Sequence, residues 1–264
     1  MVTVNDIFNC LEAFAPTECR MGFDNVGLLV GHRNFSVKRV LTALDITSDV
    51  IAEASDIGAQ LIVSHHPLFF DIKRVTDDDI IGRKILALAE SGAAAICMHT
   101  NLDAAKGGVN DALMEALGVQ NVSLLADGLG LPETPDNMIA RKGTLPEIMT
   151  MQEFMADVKF ALKSPGLRYH DAGRPVSRVA CCGGSGGGEL INCVASGCDT
   201  LVTSDIKYDV FLSARELGVN IIDAGHFCTE NVVIPVLTRL IANAFPDVDV
   251  SASECHGPSI MYFV

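Results

Sequence analysis

Three short runs of aliphatic and β-branched residues each give way, within a few positions, to histidine or carboxylate side chains. Leu61-Ile62-Val63-Ser64 leads straight into His65-His66-Pro67, and Ala94-Ala95-Ile96-Cys97-Met98 into His99-Thr100-Asn101-Leu102-Asp103. Val219-Asn220-Ile221-Ile222-Asp223 leads into Ala224-Gly225-His226, with Glu230 four residues on. Apolar runs of this length and composition read as β-strands. Ligands of open α/β sheets bind beyond the carboxyl ends of the strands, where all three polar groups fall. The pattern restricts the chain to an α/β fold and points to one metal site at a sheet edge.

His65, His66, Asp103, His226 and Glu230 offer three imidazoles and two carboxylates. A catalytic zinc takes three protein ligands and keeps one position for water, so five donors suit two cations better than one. Adjacent residues on extended backbone point in opposite directions, so His65 and His66 are expected to serve different ions. His226 and Glu230 open the apolar run Val232 to Phe245; on a helix, positions i and i+4 share a face. Such N/O donors suit Zn, Mn, Fe, Co or Ni rather than Cu(I). His99 is read as lying on a strand end, orienting a ligand or moving a proton beside bound substrate. Asp205, Lys207 and Tyr208 follow a further strand end and face the same pocket or solvent. His170 is expected in an exposed turn.

Strand and helix signals alternate through the chain, as in α/β proteins. Strands are expected over Val37 to Ala43 and before His65, Asp103 and His226. Helices are expected over Ser48 to Ile57 with Ser48 as N-cap, from Asp77-Asp78-Asp79 to Ala89, over Asn110 to Leu117, and from Thr150-x-x-Glu153, a capping-box pattern, to Leu162. Gly58, Gly92 and Gly118 mark helix ends. Arg178 to Cys182 lines up with Arg39 to Ala43, and Gly197 to Ser204 with Gly58 to His65 without a gap. A duplicated βαβαβ unit and a chance likeness of two such units both account for this. Two interleaved halves are therefore expected, residues 1–125 and 126–264, forming one compact unit with the metal site between them.

Gly183-Gly184-Ser185-Gly186-Gly187-Gly188 follows a strand and precedes the helix-like Leu190 to Ala195. Glycines there let backbone amides approach a phosphate. The Walker lysine is absent, however, and Glu189 stands where a Rossmann-type loop needs glycine. A tight strand–helix turn and a phosphate or substrate loop both remain open, and the reading favoured is a loop that lines the metal pocket.

A net charge of −14 over 264 residues, with basic pairs scattered rather than clustered, weighs against nucleic acid as a partner. Nine cysteines form no framework and no Cys-x-x-Cys, so reduced buried thiols are expected rather than disulfides or a zinc ribbon. No apolar stretch reaches the ~18 residues of a membrane span, and the first fourteen residues lack a basic n-region. A cytoplasmic location is expected.

Asp24-Asn25-Val26-Gly27-Leu28, Ser64-His65-His66-Pro67, His99 to Asp103 with Gly107-Gly108-Val109-Asn110, the Gly183 to Gly187 loop, and Ile222 to His226 with Thr229-Glu230 span nearly the whole chain. Together they resemble the family of GTP cyclohydrolase 1 type 2 homologues, also called Nif-three-like proteins. The resemblance implies a dinuclear site formed by His65, His66, Asp103, His226 and Glu230, with Glu230 as the bridge. It also implies a toroidal homohexamer and the short form without an inserted middle domain. Cys228 departs from the glutamate of many relatives, two positions along from His226 and so directed elsewhere. The expected function is that of a metal-dependent hydrolase acting on a small phosphorylated or heterocyclic compound, with His99 as proton shuttle. The alternative is a non-enzymatic metal-binding or interaction protein with structural cations.

Overall fold

Helix starts follow from local hydrogen bonding. Thr3 and Asp6 close a capping box on α1 (Val4–Phe14), and Thr150 and Glu153 close another on α7 (Met151–Ala161). At α2 (Ser48–Asp56) the cap is Thr47, not Ser48: the Thr47 side chain accepts from the Val50 amide and Ser48 is already helical. Asp79 caps α3 (Ile80–Ser91), which ends at left-handed Gly92. The computed structural model describes residues 1–263. Among these, no helix is long and apolar enough to cross a membrane.

The chain is a mixed α/β protein with two sheets and forms two compact units. The first comprises Met1–Ala105 and Ile234–Gly257, the second Lys106–Val233 with the chain from Pro258 on. Up to residue 105 the elements are α1, β1 (Gly27–Val30), β2 (Arg39–Ala43), α2, β3 (Leu61–Ser64), α3, β4 (Ala94–Cys97) and α4 (Thr100–Ala104). The second unit holds α5 (Val109–Ala116), β5 (Gln120–Leu124), α6 (Pro135–Met138), β6 (Arg141–Met149), α7, β7 (Arg168–His170) and β8 (Val176–Cys181). It continues through α8 (Leu190–Ala195), β9 (Thr200–Thr203), α9 (Tyr208–Leu217), β10 (Asn220–Asp223) and α10 (His226–Glu230). The chain then returns to the first unit with α11 (Ile234–Ala244) and β11 (Asp249–Ala252).

In the first sheet the order is β1-β4-β3-β2-β11, parallel except for β1. Leu41, Ala43, Ile62 and Ala95 pack against Val50, Ile51 and Ala54 of α2 and Leu88 of α3. On the opposite pleat Thr42 Oγ lies 2.7 Å from Thr238 Oγ, tying β2 to α11. The second sheet runs β5-β6-β8-β9-β10-β7, with β8, β9 and β10 parallel. Its side chains alternate between two cores. Val179, Cys181, Val202 and Ile222 join Phe154 and Val158 of α7, while Ala180, Leu201 and Ile221 join Leu190 and Cys193 of α8 and Ala214 of α9. Burial on both faces is the reason these strands read as continuous apolar runs.

The aligned segments play the same parts in their respective sheets. Gly58 and Gly197 both turn with positive φ into β3 and β9. The Gln60 amide donates to Arg39 O as the Asp199 amide donates to Arg178 O, and Met98 to Ser64 O as Ala224 to Thr203 O. In both sheets the third parallel strand is followed by a five-residue helix, α4 or α10. His226 and Glu230 thus lie on a helix of their own, ahead of the 3-10 turn Asn231–Val233 and α11. All nine cysteines are free thiols. His170 ends the edge strand β7, paired with Ile221, rather than sitting in an exposed turn.

Candidate metal-binding groups

In the first unit, His65 and His66 follow β3 directly, His99 caps α4, and Asp103 lies within that helix. His65 is fully buried. Its Nδ1–H donates to the Met98 carbonyl at 2.9 Å, which leaves Nε2 as the ring nitrogen that a cation could take. That Nε2 lies 3.8 Å from Asp103 Oδ1. Two donors about 2.1 Å from one tetrahedral cation stand roughly 3.4 Å apart, so this spacing suits a shared ion. Ligating atoms of His65, His66 and His99 all lie within 4.8 Å of one another. The divergence expected of adjacent residues is absent because the strand has ended. Ser64 Oγ donates to the His66 carbonyl at 2.8 Å, turning the backbone so that both rings face one region.

His66 Nδ1 is held by Asp45 Oδ1 at 2.8 Å, and His99 Nδ1 by Asp24 Oδ1 at 2.8 Å. Asp24 also accepts from the amide and hydroxyl of Thr100. Burial works to raise the Asp24 carboxyl, but the hydrogen bonds from His99 and Thr100 and the nearby imidazole charge outweigh it, holding it down to about 2. The buried Cys97 thiol is pushed well up by burial and by the Asp24 and Asp103 charges. It stays protonated and donates to the His65 carbonyl.

In the second unit His226 and Glu230 meet on α10, with Nε2 3.0 Å from Oε2. His226 Nδ1 is held by Asp205 Oδ2 at 2.7 Å. Lys207 precedes α9 and Tyr208 is its exposed first residue, so of that trio Asp205 is the one joined to a predicted ligand. The glycine loop braces this pair. A Cβ on Gly184 would fall 2.1 Å from Glu230 Oε1 and 3.3 Å from His226 Cε1, so only glycine allows the approach. Three of its amides donate within the protein: Gly183 to Asn110 Oδ1, Gly184 to Thr229 Oγ and Gly186 to Thr203 Oγ. These bonds brace a turn that lines the His226–Glu230 pair.

The donor chemistry therefore fits cations. The three imidazoles among the predicted ligands have Nδ1 fixed on an acceptor, an arrangement typical of metal-ligating histidine, and Asp103 and Glu230 lie within reach of an imidazole Nε2. Sequence reasoning missed the roles of Asp24 and Asp45; Asp45 stands two residues past the end of β2, but its position alone does not say which ring it holds.

The family model described as Duf34/NIF3 (NGG1p interacting factor 3) matches residues 2–257. A GTP cyclohydrolase 1 type 2 homolog of Clostridium perfringens is 37% identical over 254 residues, 95% of this chain and 96% of the relative. One of Clostridium acetobutylicum is 34% identical over 94% of this chain and 92% of the relative. Among solved structures, a Bacillus cereus protein related to NIF3 superposes with a TM-score of 0.91 at 26% identity, covering 100% of this chain and 99% of that one.

Proposed function

Since the chain belongs to the Duf34/NIF3 family, we propose that it is a divalent-metal-dependent hydrolase of small phosphorylated or heterocyclic compounds. In this reading His65, His66, Asp103, His226 and Glu230 hold two cations per chain, with Glu230 shared between them. The observation that carries it is the tethering of every predicted histidine ligand at Nδ1, which reserves Nε2 for a cation. Such cations supply Lewis acidity, polarising the attacked group and acidifying water near neutral pH. The chain's own part is proton handling and binding. His99, with Nδ1 on Asp24, presents Nε2 to accept or return a proton. The Phe70 ring centroid lies 5.9 Å from that of His99 and 6.0 Å from that of Phe23, both in tilted contact, and both phenyls are more than half exposed. That open aromatic edge suits a planar ring, in keeping with the cyclohydrolase name its relatives carry. The proposed assembly is a homohexamer, read out by light scattering as six chain masses.

Metal-free protein reloaded with Zn, Mn or Co and screened across nucleotides, phosphoesters and cyclic amides tests this reading. Metal-dependent turnover that disappears in Asp103→Ala is the expected result; turnover that persists there belongs to another site. Elemental analysis should give about two cations per chain, in line with the donor count, and a value below one after reloading refutes the reading. Glu230→Gln should shed more metal than Cys228→Ser, and equal losses would remove Glu230 as the shared ligand.

A further inference from the structure

The histidines do not share one kind of partner. His65, fully buried, is held by a neutral backbone carbonyl. His66 and His226, at side-chain exposures of 21% and 33%, are each held by a carboxylate that is itself about half exposed, Asp45 at 46% and Asp205 at 48%. His99 is held by Asp24, whose side chain is sealed from solvent and also takes the Thr100 donors. Half-exposed ion pairs contribute little to folding, so the Asp45–His66 and Asp205–His226 pairs by themselves bring the fold little. Asp205 even costs the fold something. Its φ of 51° puts it among three non-glycine residues with left-handed backbone in the described chain, with Asn121 and Lys163. That conformation is disfavoured for an L-residue, somewhat less so for Asp, and it is found where a side chain must be aimed.

We propose that Asp45 and Asp205 are positioning residues for cation binding, one in each unit, and that Asp24 is not. A carboxylate accepting the Nδ1–H fixes the tautomer, fixes the ring plane and increases electron density at Nε2, which makes the imidazole a stronger ligand. The fully buried His65 uses a carbonyl because a second sealed carboxylate would carry a large desolvation cost. Asp24 performs the same geometric task for His99, the proposed proton-transfer group, so its loss leaves the ligands in place. This assignment rests on the metal reading above.

Cobalt(II) binding to metal-free protein, measured by chelator competition and by the visible absorption of the bound ion, tests it. Asp45→Asn and Asp205→Asn should each weaken Co(II) binding by about 10–100-fold and alter the absorption bands, while the melting temperature of the metal-free protein stays unchanged. Asp24→Asn should bind Co(II) within about threefold of wild type, below the loss expected at an outer-shell partner, and melt earlier when metal-free. Wild-type-like Co(II) affinity in both Asp45→Asn and Asp205→Asn overturns the assignment while leaving the metal reading intact. An equal loss in Asp24→Asn overturns it too, because removal of any nearby charge would then suffice. Lower metal-free melting in Asp45→Asn and Asp205→Asn, with unaltered absorption bands, assigns both a purely structural role. Wild-type protein that takes up no Co(II) fails the metal reading itself.

Discussion

A carboxylate sealed from solvent remains an anion only where donors surround it. Asp24 has four: the His99 ring N–H, the Thr100 amide and hydroxyl, and the Asn25 amide. Its folded value of about 2, below the ordinary 3.8, means that the unfolded chain takes up the proton more readily. The resulting stabilisation is fully present above pH 3.8, and is lost as pH falls through about 2. It amounts to roughly 2 kcal/mol. Urea titrations of metal-free wild type and Asp24→Asn should show a stability gap that shrinks between pH 4 and pH 2. A gap that stays constant across that range would contradict the account. At this scale the candidate ligands stood out in the sequence because histidine and carboxylate at strand ends are conspicuous. Asp24 and Asp45 did not, because an aspartate's role depends on which ring lies across from it.

Among the elements, the turn from β8 into α8 bears most directly on the site. Gly184 has φ +62°, a conformation that L side chains rarely adopt, and the Glu230 carboxylate occupies the space of a Cβ. Gly187, a few positions on, has its first neighbour at 3.6 Å, an ordinary contact. Gly184→Ala should therefore lower both thermal stability and metal affinity, whereas Gly187→Ala should leave metal affinity near wild type. Calorimetry with the chelator titration decides, and indistinguishable variants would show that Glu230 does not need the glycine. Parallel strands and capped helices were readable because apolar runs and Thr-x-x-Glu are local signals. The nine-residue β6 was not, because Gly143 and Pro146 argue against a strand. Its ladder to β8 breaks between Thr144 and Met149, and that irregular stretch is where a residue without an amide hydrogen fits. The short edge strands β5 and β7 carry no long apolar run and take their form from the strands beside them.

At the scale of the whole chain, the first unit is completed by residues far along the sequence. Asp249–Ala252 pair in parallel with β2, and Thr238 of α11 meets Thr42. A chain ending at Val233 would leave Val40 and Leu41, both fully buried, beside an unpaired strand edge. Hydrogen exchange on such a truncation should show lost protection in β2, β3 and β4, with protection retained in β8, β9 and β10. Retained protection in β2 would mean that the first sheet does not need its last strand. The amino-acid order alone determined the α/β class, the strand–helix alternation, the likeness of the two βαβαβ stretches and the identity of five candidate ligands, because burial on both strand faces and strand-end chemistry are written in consecutive residues. Tertiary structure decided what depends on distant segments: the return of residues 234–257 to the first sheet, the antiparallel edges, and the carboxylates of Asp24, Asp45 and Asp205 on their histidines. Asp24 and His99 are 75 residues apart and Asp45 and His66 are 21 apart. A hydrogen bond across such a separation forms only once packing has brought its strand ends together.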